Sequence, residues 1–454
     1  MGKYFGTDGV RGKANEDLTA ELALSIGRAA AAVLVENRTD GKHPKVAIGR
    51  DTRCSGEMLE NAIAAGLLST GADVYRLGVI PTPAVARLVS QYGMDAGVMI
   101  SASHNPYDDN GIKLFDRNGY KLSDSTEEEM EEIMDGRKEV EGLTAAPERL
   151  GKVFDWSGRA ADDYAEYLRS CASFRLPGCK IAFDCANGSA SATAAKVFRD
   201  CGADCVFLND QPDGFNINAG CGSTHIENLK EYVLKENCDL GIAFDGDADR
   251  CIMVDKDGQT VDGDKLIAIC AQDMKQHGLL KDNVVVVTVM SNLGFFKFAQ
   301  EEGLQAEITQ VGDRYILERM LEKGYTLGGE ASGHIIFSQY MATGDGQLSA
   351  LRVLEIMAET GKSLNALASV MDVYPQAMEN LQVTKEERAK YDNNPQVEAY
   401  VREQQEALGG NGRILVRPSG TEPLIRVMAE GKDQGEIQHL VETMAKHIGK
   451  LLKA

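Results

Sequence analysis

Ser103 stands in SASHNP (101–106), directly after the apolar run AGVMI (96–100). A serine hydroxyl is a weak nucleophile until a base, a metal or an already attached group activates it. The plain structural alternative is a Ser or Asn turn closed by proline. His104 is adjacent, and Lys113, in DDNGIKLF (108–115), lies in a segment that could return to the same place as a strand. The chemistry becomes more specific in AFDGDADRC (243–251), which carries Asp245, Asp247 and Asp249. Alternation at i, i+2 and i+4 aims carboxylates to one side of an extended segment. Such a cluster is costly without a cation among it, and all-oxygen donors suit Mg²⁺, Ca²⁺ or Mn²⁺. An EF-hand is excluded, because Arg250 and Lys256 stand where that loop needs Gly and Glu. Mg²⁺ is favoured, since three protein oxygens leave room for a phosphate oxygen.

Two further loops add recognition. LGGEASGHI (327–335) sets Glu330, Ser332 and His334 in alternation after Gly328 and Gly329. A carboxylate with a hydroxyl grips sugar hydroxyls or an amine, and a Gly-rich turn with a structural histidine is the alternative. VRPSGTEPLIR (416–426) offers Arg417, Ser419, Gly420 and Thr421, with Arg426 returning. Guanidinium forks, hydroxyls and loop amides hold phosphate without a P-loop, and no Walker signature occurs in the chain. FGTDGVRG (5–12) contributes Thr7 and Arg11, and GRDTR (49–53) contributes Arg50 and Arg53. These are cations for a phosphate or surface loops tied by salt bridges.

The elements that must position these loops follow a repeated pattern. A helical segment ends at Gly and a short apolar strand follows, in AIAAGLLSTGADVYRLG (62–78), ATAAKVFRDCGADCVFLN (192–209) and FFKFAQEEGLQAEITQ (295–310). Continuous apolar runs at 45–49, 96–100, 180–184, 240–244 and 283–290 read as strands buried on both faces. The class is therefore α/β with largely parallel sheets. Three similar mixed α/β units are expected, over 1–155, 156–255 and 256–370, with a smaller α+β domain over 371–454. In open α/β sheets ligands sit at the carboxyl ends of strands, which is where the serine, aspartate and glutamate loops fall.

The chain has 454 residues and a formal net charge of −21, so nucleic acid and anionic membrane surfaces are poor partners. No apolar run reaches spanning length and no export signal opens the sequence. Its ten cysteines form no C-x-x-C and read as reduced, small core residues in a cytoplasmic protein.

FGTDGVRG, SASHNPYDDNGIKLF, DGDADR, GGEASGH and RPSGTEPLIRVM occur in this order along the whole chain. In this the sequence resembles the α-D-phosphohexomutase superfamily, and its start resembles the branch acting on glucosamine phosphates. Phosphoglucomutase or phosphomannomutase activity is the alternative. Ala331 departs from the longer polar residue of many glucosamine-type members, which bears on substrate rather than on reaction. The resemblance implies four domains around a central cleft. It implies that Ser103 is a phosphoserine whose phosphate, with Asp245, Asp247 and Asp249, holds one Mg²⁺. Glu330, Ser332 and His334 would meet the sugar. Arg417, Ser419, Gly420, Thr421 and Arg426 would hold the non-reacting phosphate. Lys113 and His104 would handle protons, with Arg11 and Arg250 beside the transferring group. A glucosamine 1,6-bisphosphate or glucose 1,6-bisphosphate primer, sugar-phosphate ligands and a homodimer are compatible with it. A non-catalytic sugar-phosphate sensor, or a phosphatase using an aspartate nucleophile, would need the same loops without Ser103.

Overall fold

The computed structural model describes residues 2–6, 8–34, 42–140, 143–391, 394–419 and 423–453. These divide into two compact units: residues up to 290 with 303–370, and residues 291–302 with those from 371 onward. Among the described residues no helix is long and apolar enough to cross a membrane.

The larger unit contains three sheets built on one plan. The first comprises β1 (Val10–Lys13), β2 (Lys45–Arg50), β3 (Asp73–Val79), β4 (Ala96–Ile100), β5 (Asp109–Asp116) and β6 (Val153–Asp155), in the order β1-β5-β4-β2-β3-β6. The second comprises β7 (Lys180–Asp184), β8 (Asp204–Leu208), β9 (Leu240–Phe244), β10 (Cys251–Asp255) and β11 (Thr260–Val261), ordered β11-β10-β9-β7-β8. The third comprises β12 (Val284–Thr288), β13 (Gln305–Thr309), β14 (Leu327–Gly329) and β15 (Ile335–Phe337), ordered β13-β12-β14-β15. Each has parallel pairs at its centre and antiparallel strands toward one side. β4, β9 and β12 are buried along their whole length, as their unbroken apolar sequence requires.

That plan places the chemistry. β4, β9 and β14 each end where the serine, aspartate or glutamate loop begins. The antiparallel return of β5 sets Lys113 opposite Met99, next to the end of β4. β6 joins the first sheet beside β3, and β11 carries the second sheet past residue 255.

The smaller unit has one antiparallel sheet, β16 (Gln376–Gln382), β17 (Gly412–Pro418) and β18 (Leu424–Gly431), ordered β16-β18-β17, packed under the helix Gln434–Lys453. It also takes the helix Leu293–Glu301, which sequence order alone groups with β12 and β13. The cause is Glu430, fully buried, which accepts from Asn292 Nδ2 and Leu293 N at 3.2 Å and from Arg413 Nε at 2.8 Å. Gly294 seals the contact, since a Cβ there would lie 1.8 Å from the Asp372 carbonyl.

Residues 3–5, which precede Asp8 and Arg11, have their backbone held by one side chain. Glu131, buried on the helix Asp124–Met134, accepts from the backbone N–H of Lys3 at 2.7 Å, Tyr4 at 2.6 Å and Phe5 at 2.9 Å. Burial opposes its charge, but these amides hold the carboxyl below the usual glutamate range. A depressed pKa contributes stability that is present above the ordinary range and lost as pH falls through the folded value. Glu131→Gln is expected to cost about 1–3 kcal/mol in denaturant unfolding near pH 7. The gap from wild type should narrow below about pH 4. A gap constant across pH would remove the role of the charge.

Candidate active site

Ser103 adopts φ +53°, a left-handed conformation rare for a residue with a Cβ. Its N–H donates to Ser101 Oγ at 2.9 Å. Its carbonyl accepts from Arg53 Nη2 at 3.0 Å and Asn218 Nδ2 at 2.9 Å. Arg53 is 1% exposed and spends both terminal nitrogens of its guanidinium on this turn. Nη2 also donates to Asn105 O at 2.9 Å, Nη1 to Asp109 O at 3.0 Å and to Pro106 O, and Nε to Asp51 Oδ2 at 2.9 Å. All five guanidinium donors are thereby used. The sequence left Arg50 and Arg53 as cations for a phosphate or as parts of loops tied by salt bridges. Arg50 follows the second reading, pairing with Glu57 and Glu60, and Arg53 clamps carbonyls.

The aspartate loop departs from the extended form expected for it. Ala248 N–H donates to Asp245 O at 3.0 Å, and Ala248 has φ +56°, so the segment is a turn. The carboxylates converge nonetheless, with one oxygen of each of Asp245, Asp247 and Asp249 within 4.8 Å of the others. Ser103 Oγ donates to Asp245 Oδ2 at 2.6 Å, and Arg250 N donates to Asp245 Oδ1 at 3.2 Å. Asp247 Oδ2 accepts from Thr82 Oγ1 at 2.6 Å and Lys113 Nζ at 2.8 Å. Asp249 Oδ2 lies 3.5 Å from His334 Nδ1, and its Oδ1 lies 3.8 Å from Arg250 Nε. Asp247 Oδ1 and Asp249 Oδ1 are buried with no hydrogen-bond partner among the described residues. Unspent carboxylate oxygens beside a third carboxylate and a hydroxyl form a donor set that fits a hard divalent cation.

Electrostatics sort these groups. Burial and its two carboxylate neighbours raise the Asp245 pKa well above the usual range. Burial opposes ionisation of Asp249 as well, but His334, Lys113 and Arg250 drive its carboxyl below that range. Burial likewise disfavours the Lys113 charge, yet Asp247, Asp8 and Asp249 hold it raised, so it is an ammonium at neutral pH. His104 Nδ1 lies 3.4 Å from Ser103 Oγ, and burial with Arg250 and Arg11 pulls the imidazole down to about 4. Arg11 Nη1 reaches Ala102 O at 3.5 Å and Nη2 binds Asp8.

Glu330 and Ser332 are half-buried, with Ser332 Oγ donating to Glu330 Oε2 at 3.3 Å and Gly312 N to Glu330 Oε1 at 3.2 Å. Of the two roles the sequence allowed His334, sugar contact or structural histidine, its surroundings fit the second. Its ring is 2% exposed, caught between Asp249 and Asp313, with Gly344 N donating to Nε2 at 3.1 Å. It braces the aspartate loop instead.

Four contributors escaped the sequence reading. Asp8 Oδ2 lies 3.2 Å from Lys113 Nζ, Lys121 bridges Asp8 and Asp313, Thr82 holds Asp247, and Asn218 holds Ser103. Asp8 lies inside FGTDGVRG, so a signal existed there; Lys121, Thr82 and Asn218 carry none.

In the smaller unit Arg417 lies opposite Arg426 across the β17–β18 pair. Burial and the neighbouring Arg426 lower the Arg417 pKa. Ser419 N–H closes the turn onto Leu424 O at 2.9 Å. Gly420 and Thr421 lie outside the described residues.

Known proteins match along the whole length. Phosphoglucomutase/phosphomannomutase alpha/beta/alpha domain I matches residues 2–141, domain II 162–258, domain III 262–374 and the C-terminal domain 378–447. The phosphoglucosamine mutase of Caldicellulosiruptor saccharolyticus is 52% identical over 451 residues, 99% of each chain. That of Brevibacillus brevis is 53% identical over 441 residues, 97% of each. A phosphoglucomutase/phosphomannomutase family protein from Burkholderia thailandensis superposes with TM-score 0.81 at 25% identity, over 99% of this chain and 97% of that one. Aspergillus fumigatus N-acetylphosphoglucosamine mutase, solved with GlcNAc-6P and magnesium, shares the fold with TM-score 0.66 at 18% identity, over 99% and 96%.

Removing Arg53 strands Asp51 and frees the carbonyls of the serine turn. Arg53→Met is expected to cost about 3–5 kcal/mol in denaturant unfolding, the range for breaking a buried ion pair. A cost near that of an ordinary surface change, within about 0.5 kcal/mol, would dismiss the clamp. Asp247→Asn is expected to weaken Mn²⁺ binding, read by electron paramagnetic resonance, by more than about tenfold. Unchanged binding would place the cation elsewhere.

Proposed function

Because this chain belongs to the phosphoglucomutase/phosphomannomutase family of the α-D-phosphohexomutase superfamily, we propose that it interconverts glucosamine 6-phosphate and glucosamine 1-phosphate. The observation that carries this is Ser103 Oγ set 2.6 Å from Asp245 inside a buried three-carboxylate pocket. A sensor of sugar phosphates has no use for that hydroxyl.

Ser103 Oγ carries a phosphoryl group and passes it to the free hydroxyl of the sugar monophosphate. The sugar O–P bond forms, the Oγ–P bond breaks, and the hydroxyl proton leaves toward the neutral His104, while the Lys113 ammonium serves as a donor. The sugar is then a bisphosphate. The bisphosphate turns over, Ser103 Oγ takes back the other phosphoryl, the second sugar O–P bond breaks, and the freed sugar oxygen takes up the proton, which restores the enzyme with the phosphate moved. Mg²⁺ held by Asp245, Asp247, Asp249 and the Ser103 phosphate would neutralise charge that three carboxylates and a phosphoserine cannot share alone. Arg11 and Arg250 flank the serine turn and aspartate loop, where they meet the transferring oxygens. Glu330 and Ser332 read the sugar, and a carboxylate there favours the ammonium of an amino sugar. Arg417, Ser419, Gly420, Thr421 and Arg426 hold the phosphate that is not reacting. A glucosamine or glucose 1,6-bisphosphate primes Ser103. The reaction feeds amino-sugar nucleotide and cell-wall precursor synthesis in the cytoplasm.

Turnover should be measured with Mg²⁺ and a bisphosphate primer on glucosamine 6-phosphate, glucose 1-phosphate and mannose 1-phosphate. Wild type is expected to prefer the amino sugar. Ser103→Ala is expected to lose on the order of 10³-fold or more in kcat, as removal of a nucleophile does. Turnover that survives the substitution would sink the phosphoserine mechanism, and Ser103-dependent preference for glucose or mannose would replace the substrate.

A further inference from the structure

The second sheet carries two thiols that phosphoryl transfer does not use. Cys201 closes the short 3₁₀ turn Arg199–Cys201, Gly202 follows at φ +82°, and Cys205 lies in β8, the edge strand of its sheet. The left-handed glycine reverses the chain and returns Cys205 over Cys201. Their Sγ atoms lie 3.8 Å apart and share a hydrogen bond. All ten cysteines are free, and no other pair among the described residues is joined this way. A disulfide needs sulfurs near 2.05 Å, so closure asks for a movement of about 2 Å or less. Cys201 is 7% exposed and Cys205 is half-buried on an edge strand, which gives a small reagent a way in.

We propose that Cys201 and Cys205 form a peroxide-responsive dithiol that closes reversibly to a disulfide. The Cys201 thiolate attacks one oxygen of hydrogen peroxide. An S–O bond forms, the O–O bond breaks, and the departing hydroxide takes up a proton as water. Cys205 sulfur then attacks the sulfenic sulfur of Cys201. The S–S bond forms, the S–O bond breaks, and the hydroxyl leaves as water with the Cys205 proton. Two thiols are oxidised and one peroxide is reduced to two waters. The division of roles follows from the surroundings of each sulfur. The hydrogen bond shared with Cys205, backbone amides and Arg175 hold the Cys201 thiol down against burial. The same bond and burial push the Cys205 thiol up. Cys201 is therefore the attacking sulfur and Cys205 the resolving one, which intercepts the sulfenic acid before irreversible oxidation.

The test uses the full-length reduced protein, exposed to a few equivalents of hydrogen peroxide, alkylated with N-ethylmaleimide and digested without reduction. The peptide holding Cys201 and Cys205 is expected to lose two hydrogens, to escape alkylation at both sulfurs, and to regain both thiols with dithiothreitol. This should precede oxidation of Cys54, the exposed cysteine. In Cys205→Ser, dimedone should label Cys201 as a sulfenic acid. In Cys201→Ser, the Cys205 position should stay alkylatable. Full alkylation of both sulfurs in oxidised wild type, or loss of Cys54 alone, would overturn the proposal.

Discussion

Three carboxylates drawn within 4.8 Å of one another in a buried loop are the constraint on which the rest depends. Like charges at that range repel, and burial removes the water that would screen them. The protein answers with two cations, Lys113 from β5 and Arg250 from the loop itself, and with the imidazole of His334 from before β15. Lys113 and His334 are not free to drift, because each is tied in turn to another acid. Asp8 holds Lys113, Lys121 holds Asp8 and Asp313, and Asp313 holds His334. The aspartate loop is thus held by a closed circuit of polar side chains.

The serine turn solves a different problem. A residue with a Cβ at positive φ stores strain that the surroundings must over-determine. Arg53 and Asn218 do so by gripping the Ser103 carbonyl, which leaves the side chain to Asp245 and His104. A backbone held from behind and a hydroxyl presented forward suit a group that must gain and lose a phosphoryl without the loop moving. Glycine serves the same geometry at Gly246, where a Cβ would sit 2.5 Å from the Ser103 carbonyl.

The strands were legible because burial on both faces writes itself as continuous apolar sequence, as in AGVMI, LGIAF and VVVVT. Helices ending at Gly before a strand were equally plain. Legibility failed where a residue's role depends on a partner far along the chain. Arg53 stayed open between a phosphate cation and a salt-bridged loop because its acceptors, at 103, 105, 106 and 109, are carbonyls that no composition reveals. His334 alternated with Glu330 and Ser332 and so looked like a ligand contact. Its neighbours Asp249 and Asp313 are distant in sequence and close in space. The helix Leu293–Glu301 read as a partner of β12 and β13 because its tie to Glu430 spans 137 positions.

An acidic protein that handles anionic sugars must invert its charge locally, and its arginines show how. With a net charge of −21, nearly any partly buried cation will find a carboxylate. Arg11, Arg50, Arg53, Arg250 and Arg413 all do. Arg11 and Arg250, with Lys113, therefore offset carboxylates before any ligand arrives. Arg417 is different, because no ion pair to a carboxylate of the described residues engages it and its cross-strand neighbour is Arg426. Arg417 thus keeps its charge beside a second cationic side chain at the end of β17, a cost that the proposed phosphate contact would offset.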